Sequence, residues 1–217
     1  MLALFSGSFL RGAIGQMPPK IGVTDFYAPT PLGDFLGFIP EHFAAADLTD
    51  SLSRAAAGKF TIIPRATMEE AQTGMQWHGV DAPHYDRLGA LARAVGADWL
   101  VTGWITQLVI NSAARLHGNH PSPNSEVQKW GYATVVVQMF NASEGRIVSQ
   151  TTKYASTASG ELRSELAARV LHDALQPTVP CLVNAVSSRL TNSLDASPRA
   201  AAGVHRDPRL PSRGSSQ

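Results

Sequence analysis

The sequence predicts an α/β (α+β) domain built on one mixed β-sheet, and three observations lead to this prediction. Residues 95–112, VGADWLVTGWITQLVINS, are rich in β-branched and aromatic residues, which is typical of a long central strand. The first half of the chain alternates short apolar strands with amphipathic segments, as parallel strands with crossover helices do. In the second half, the short turn 143–145 separates two apolar runs and predicts antiparallel neighbours. A single sheet covered by helices accommodates all three observations.

The first half supplies the crossovers. A capping-box pattern, Thr67 followed by Glu70, predicts the start of a short helix, and Gly58 suits the position that ends the helix before it. Apolar residues that recur every three or four positions make 84–95 the clearest amphipathic helix. The predicted elements are strand 20–27, helix 41–57, strand 59–63, a short helix through about Met75, and helix 84–95.

The second half predicts a three-strand antiparallel meander followed by a carboxy-terminal helix. Its strands are 95–112, 130–141 and 146–157, and the polar segment 112–129 between the first two is a surface loop. The final helix covers 161–176, and two prolines separate it from a second piece at 181–190.

The chain divides into three parts. Residues 20–190 form the α/β domain, and residues 191–217 contain few large apolar side chains, which predicts a disordered tail. Residues 1–19 are either the remnant of a secretory signal or a frayed terminus, because the apolar stretch lacks a positive region before it. No run reaches the roughly 18–20 apolar residues of a transmembrane segment.

Composition and motifs narrow the function. A net charge of +1 with 16% charged residues gives no reason to expect a nucleic acid partner. The single cysteine excludes an internal disulfide framework. The chain has no phosphate-binding loop, dinucleotide fingerprint, nucleophile elbow or metalloprotease motif, so no cofactor is expected and a non-catalytic role is favoured over an enzyme, which stays an alternative.

Two histidines are the nearest approach to a metal site. His117 and His120 lie in the polar loop, and a bound metal would need at least one more ligand, for which Glu126, His78 and His84 are candidates. The favoured interpretation is two solvated loop histidines.

Three further residues have a structural and a chemical interpretation. Asp25 and Asp98 stand at strand ends, where they are either turn and hydrogen-bonding residues or a carboxylate pair for acid/base chemistry. Cys181 is predicted to be a small buried hydrophobe, although His172 in the preceding helix is a candidate base for a thiol nucleophile.

A loop with an apolar underside spans residues 28–40. Phe35, Leu36 and Phe38 are its candidate partner-binding residues. The alternative is a flap that packs on its own domain.

Three stretches, KIGVTDF, GKFTIIPR and LGALARAVGADWLVTGWITQL, resemble a group of bacterial envelope domains. The group includes the curli secretion-channel subunit, the lipoprotein activator of a penicillin-binding protein, the amino-terminal domain of the Tol-Pal propeller protein, and secreted bacterial proteins without an assigned role. The resemblance covers 20–190 and is carried by Asp25 with Phe26, by Arg65, and by the segment 97–103. Neither a lipobox cysteine nor an inserted apolar hairpin is present, so a lipid anchor and a pore are not expected.

The resemblance implies a non-catalytic envelope accessory or assembly domain that binds a protein partner, in the periplasm or secreted. A sheet edge, the 28–40 flap or the His117 loop would present the binding surface. The alternatives are a small-molecule or metal-dependent enzyme that uses loop 113–128, a ring-forming subunit that self-associates through strand edges, and a cytoplasmic location.

Overall fold

A computed structural model of the chain describes residues 17–29, 32, 37–77, 84–114, 127–159 and 162–195. Strands and helices alternate in its first half, and three long strands precede the last helices. The elements are β1 Lys20–Val23, α1 Pro40–Ala56, β2 Thr61–Ile62, α2 Arg65–Gly74, α3 Tyr85–Val95, β3 Trp99–Ala114, β4 Val127–Asn141, β5 Arg146–Ser159, α4 Arg163–Leu175, a 3-10 turn Gln176–Thr178, and α5 Val179–Asp195.

The strands form one mixed sheet in the order β2-β1-β3-β4-β5. β1 runs parallel to both β2 and β3, because a crossover helix precedes each of the latter two strands. β3, β4 and β5 are antiparallel neighbours. The predicted fold class, a single mixed sheet with crossovers first and a three-strand meander second, is confirmed.

Helices cover the two faces of this sheet unequally. The helix side, which α1, α4 and α5 cover, holds the larger core, in which Phe26, Leu48 and Val170 are fully buried. On the other face, α2 and α3 enclose a smaller core around Met68, Leu88, Leu100 and Phe140. This second core lies at the end of the sheet where β3 begins and β4 ends, so the rest of that face has no helix over it among the described residues.

Several helix boundaries depart from the predictions. α2 begins at Arg65 rather than Thr67, because the Pro64 carbonyl already accepts hydrogen bonds from the Thr67 and Met68 amides, so the predicted capping box does not form. α4 begins at Arg163, where Glu165 accepts a hydrogen bond from the Leu162 amide at 3.2 Å. α5 continues to Asp195, beyond the predicted end at 190.

Of the helices that the structure describes, none combines the length and the apolar character that a membrane crossing requires.

Candidate functional site: an uncovered sheet face and edge

Beyond the small core, no helix that the structure describes covers one face of the β3–β4–β5 meander. Side chains from β3, β4 and β5 stand in rungs across this face, as the pairing registers show. We call these rungs the open face: Trp104, Val136 and Thr152; Gln107, Thr134 and Tyr154; Val109, Tyr132 and Ser156; Asn111, Trp130 and Ala158.

The open face is aromatic and uncharged. It carries four aromatic rings, no acidic or basic residue, and hydroxyl and amide groups between the rings. Tyr154 is 81% exposed and Trp130 is 44% exposed, and the Trp130 and Tyr132 rings stack with centroids 6.5 Å apart. Exposed tyrosine and tryptophan with few charges are typical of the central part of a protein interface.

A β-bulge determines which residues of β3 reach this face. The register between β3 and β4 shifts between Ile105 and Gln107, so Thr106 is an extra residue, and its hydroxyl donates to the Thr134 carbonyl at 3.1 Å. After the bulge, the even-numbered Leu108 and Ile110 turn into the helix-side core, where they are buried. Gln107, Val109 and Asn111 are thereby placed on the open face.

The open face ends at an edge strand. β5 is 14 residues long and has no strand on its outer side among the described residues. On the same side of the sheet as the open face, the residues of β5 are exposed from Gln150 to Ala158, whereas the alternate residues on the helix side are half-buried. The exposed face and the unpaired edge therefore meet along β5.

Asp25 and Asp98 do not converge. The Asp98 carboxylate accepts a hydrogen bond from the Lys20 amide at 2.7 Å, beside the start of β1. Asp25 follows the other end of β1 and forms an ion pair with Arg65, while its own amide donates to Gln72 at 3.2 Å. The interpretation as an acid/base pair is wrong, because Asp98 binds the backbone at the start of β1, whereas Asp25 follows the end of β1 and pairs with Arg65.

Arg65, one of the residues that carry the family resemblance, joins α2 to the end of β1. Its guanidinium pairs with Asp25 and, at 2.9 Å, with Glu69. Side-chain exposures of 17% for Arg65 and 14% for Asp25 show that this pair is largely buried. The ion pair therefore holds the sheet and α2 together.

The predicted burial of Cys181 is wrong, since this cysteine is exposed. The apolar stripe of α5 runs through Leu182 and Val186, which are buried, and Cys181 lies off that stripe. Among the described residues, no hydrogen bond joins His172 to Cys181: the Cys181 thiol donates to the Pro177 carbonyl at 3.8 Å, and the Nδ1 atom of His172 lies 2.8 Å from the Asp47 carboxylate in a contact between α4 and α1.

The metal hypothesis falls mainly outside the described residues. His117, His120, Glu126 and His78 all lie there, and His84 is an exposed residue that precedes α3. Within the described ranges, no three His, Cys, Asp or Glu side chains come together as a metal-binding group.

The flap is described only in part. Phe35 and Leu36 lie outside the described residues, so their role in partner binding stays a prediction. Phe38 is partly buried against the main core, and its ring centroid lies 5.2 Å from that of Phe43.

A cavity of about 540 Å³ opens where β1 and β3 begin and β4 ends. Trp99, Asn141 and the Pro18 and Pro19 pair are among its lining residues. Its described lining includes two titratable side chains, Lys59 and Asp98, and Asp98 is already bound to the Lys20 amide.

The fold and the site define a mixed α/β domain with an exposed aromatic sheet face. No family model matches the chain, and no curated protein matches it. Solved structures with a similar fold include a dodecamer of PelC from Paraburkholderia phytofirmans, at 16% identity and a TM-score of 0.43, over 74% of this chain and 88% of that one.

Two further similar structures are lipoproteins. Lipoprotein GNA1162 from Neisseria meningitidis is 13% identical with a TM-score of 0.44, over 81% of this chain and 99% of that one. LpoB from Escherichia coli is 14% identical with a TM-score of 0.45, over 65% of this chain and 59% of that one. LpoB is the penicillin-binding-protein activator of the predicted group, so the resemblance is confirmed, and at these values it concerns the fold alone.

Proposed function

We propose that this chain is a non-catalytic accessory domain of the bacterial cell envelope, periplasmic or secreted, that binds another protein through the open face and the β5 edge. The envelope assignment rests on the sequence stretches that resemble envelope domains, among them the segment 97–103. The binding assignment rests on one observation, an uncharged aromatic sheet face that no described helix covers, beside the outer edge of β5, with which no described strand pairs.

The energetics support a binding role for this face. Tyr154 and Trp130 expose large apolar surface whose burial would be favourable by about 25 cal/mol per Å². Because the face carries no charge, a partner would cover it without the cost of desolvating an ion. The solvated face of an antiparallel sheet usually carries polar side chains, so the aromatic rings on this face favour contact with another molecule.

Site-specific photo-crosslinking in the native host tests the proposal. Tyr154 is replaced by p-benzoylphenylalanine in the full chain, and the same replacement at Tyr85, an aromatic residue of α3 that is 57% exposed, is the matched control. We expect a crosslinked protein from position 154 and none from position 85. Equal yields at both positions, or no product at either, would contradict the proposal.

Fractionation of the same cells tests the compartment. Recovery of the chain from the periplasm or the medium supports the envelope assignment. Recovery with the cytoplasmic proteins contradicts it.

A further inference from the structure

No strand in the described part of the chain pairs with the outer backbone edge of β5. An edge strand presents N–H and C=O groups on its outer side, and natural edges are commonly blunted by proline, charges or bulges. β5 contains no proline, and its single bulge lies near its start, where Val148 is the extra residue. From Ser149 onward the pairing with β4 is regular, so the outer side is a straight template for another strand.

The charge of β5 decides what kind of strand fits. β5 contains Arg146 and Lys153 and no acidic residue, and Arg146 is already paired with Glu144, Nη2 to Oε2 at 2.6 Å. Lys153 lies mid-strand on the helix side and is half-buried. It is therefore the charge that a paired strand would meet.

A second copy of β5 does not complement this charge. In a symmetric antiparallel pair centred on the middle of β5, Lys153 would lie directly opposite its copy or one diagonal step away, about 5–8 Å in either register. Like charges in such positions destabilise the pairing. An acidic residue at the opposing position would be favourable, which argues for a strand from a different protein.

The area of the open face is smaller than that of a stable interface, which also favours an added strand. Four rungs across three strands cover about 27 Å by about 14 Å, or roughly 400 Å². A stable interface commonly buries about 800 Å² on each partner. A strand paired along β5 would contribute its backbone contacts and would extend each rung by one side chain.

We infer that the partner binds by adding an extended strand to the β5 edge, with an acidic residue opposite Lys153 and uncharged side chains that continue the open face. This inference rests on the proposed function and specifies the partner segment of the same site. It follows from the regular edge beyond Val148, the unmatched charge of Lys153 and the absence of charge on the open face.

The test maps crosslinks along β5. In the full chain, p-benzoylphenylalanine is placed singly at four exposed positions of β5 on the same side of the sheet as the open face: Gln150, Thr152, Tyr154 and Ser156. A paired strand places the crosslinked residues in one partner segment, in sequence order and about two residues apart. An acidic residue is expected in that segment next to the residue that crosslinks to position 154.

Charge reversal provides the second measurement. Lys153→Glu should lower the crosslink yield from position 154 by about 2- to 30-fold, the range expected when a favourable cross-strand pair becomes a like-charge pair. Lys153→Gln should lower it less. Lys59→Glu, at an exposed position near the opposite edge of the sheet, should leave the yield unchanged. If Lys153→Glu does not fold, the Lys153→Gln variant and the crosslink map still decide the outcome.

Each alternative outcome overturns a different statement. Crosslinks scattered over several partner segments would overturn strand pairing and leave protein binding intact. Crosslinks to β5 of a second copy would overturn the charge argument. An unchanged crosslink yield with Lys153→Glu would overturn the expectation of an acidic partner residue opposite Lys153. The absence of a crosslink at all four positions would overturn the proposed function as well.

Discussion

Gly103 provides a sharp test of the packing between β3 and the helix-side core. A Cβ atom at this position would lie 2.3 Å from the Val136 carbonyl oxygen and 2.7 Å from the Phe26 ring. The Val136 oxygen belongs to the neighbouring strand, and Phe26 is fully buried, so neither can move without shifting the β3–β4 pairing or the core. Overpacking a core costs about 1–3 kcal/mol, and we expect Gly103→Ala to lower the free energy of unfolding by about 3 kcal/mol.

The measurement is urea unfolding of the wild type, Gly103→Ala and a matched control, Gly89→Ala. A Cβ at Gly89 in α3 would make an ordinary contact at 3.9 Å with Phe140. Because alanine is the better helix former, the control should gain about 0.5–1 kcal/mol. The thermal midpoint of Gly103→Ala should fall by about 6–12 °C. The argument from close approach is refuted if the free energy of unfolding of Gly103→Ala lies within about 0.5 kcal/mol of the wild-type value. It is also refuted if both variants lose stability equally.

Three further predictions concern charges and the cysteine. Asp25→Ala should lower the free energy of unfolding by about 3 kcal/mol, because Arg65 stays largely buried without its partner. The double variant Asp25→Ala, Arg65→Met should recover part of that free energy, and chemical denaturation measures both effects. For Glu144, partial desolvation raises the pKa, but hydrogen bonds and charges from Arg146 and Arg189 lower it to a net value below its usual 4.5. The folded-state pKa is therefore depressed, so the thermal-midpoint advantage of wild type over Glu144→Gln should be full at neutral pH and disappear as the pH falls below 4.5. Cys181 should react with one equivalent of a thiol reagent in the native protein, since it is exposed, and slow reaction before unfolding would contradict this.

The element types of this fold could be predicted from local sequence patterns. Helical periodicity identified α3, and the β-branched and aromatic run identified β3, because both patterns follow from one face being buried. The ends of the helices are harder to predict. α2 begins at Arg65 because the Pro64 carbonyl accepts hydrogen bonds from the first turn, and residue propensities do not report such a bond.

The candidate site was predictable only in outline. A sheet edge was expected as a binding surface, but the aromatic residues of the open face were not singled out. The alternation of Trp130, Tyr132 and Thr134 with Ala133 and Val135 was a usable signal, since it separates two faces of β4. The sequence pattern could not show that α2 and α3 would cover only one end of that face.

Local sequence patterns specify the strands, the helices and the mixed sheet, because short-range periodicity reports which side of each element is apolar. Which residues of β3 reach the open face depends instead on how the strands and helices assemble. Strict alternation would place Leu108 and Ile110 on the same side as Leu100, exposed beyond the small core. The bulge at Thr106 reverses the alternation and buries them, and it leaves Gln107, Val109 and Asn111 outside. A bulge forms where pairing with β4 and packing against the helices together are better satisfied with one extra residue, and that balance exists only in the assembled sheet.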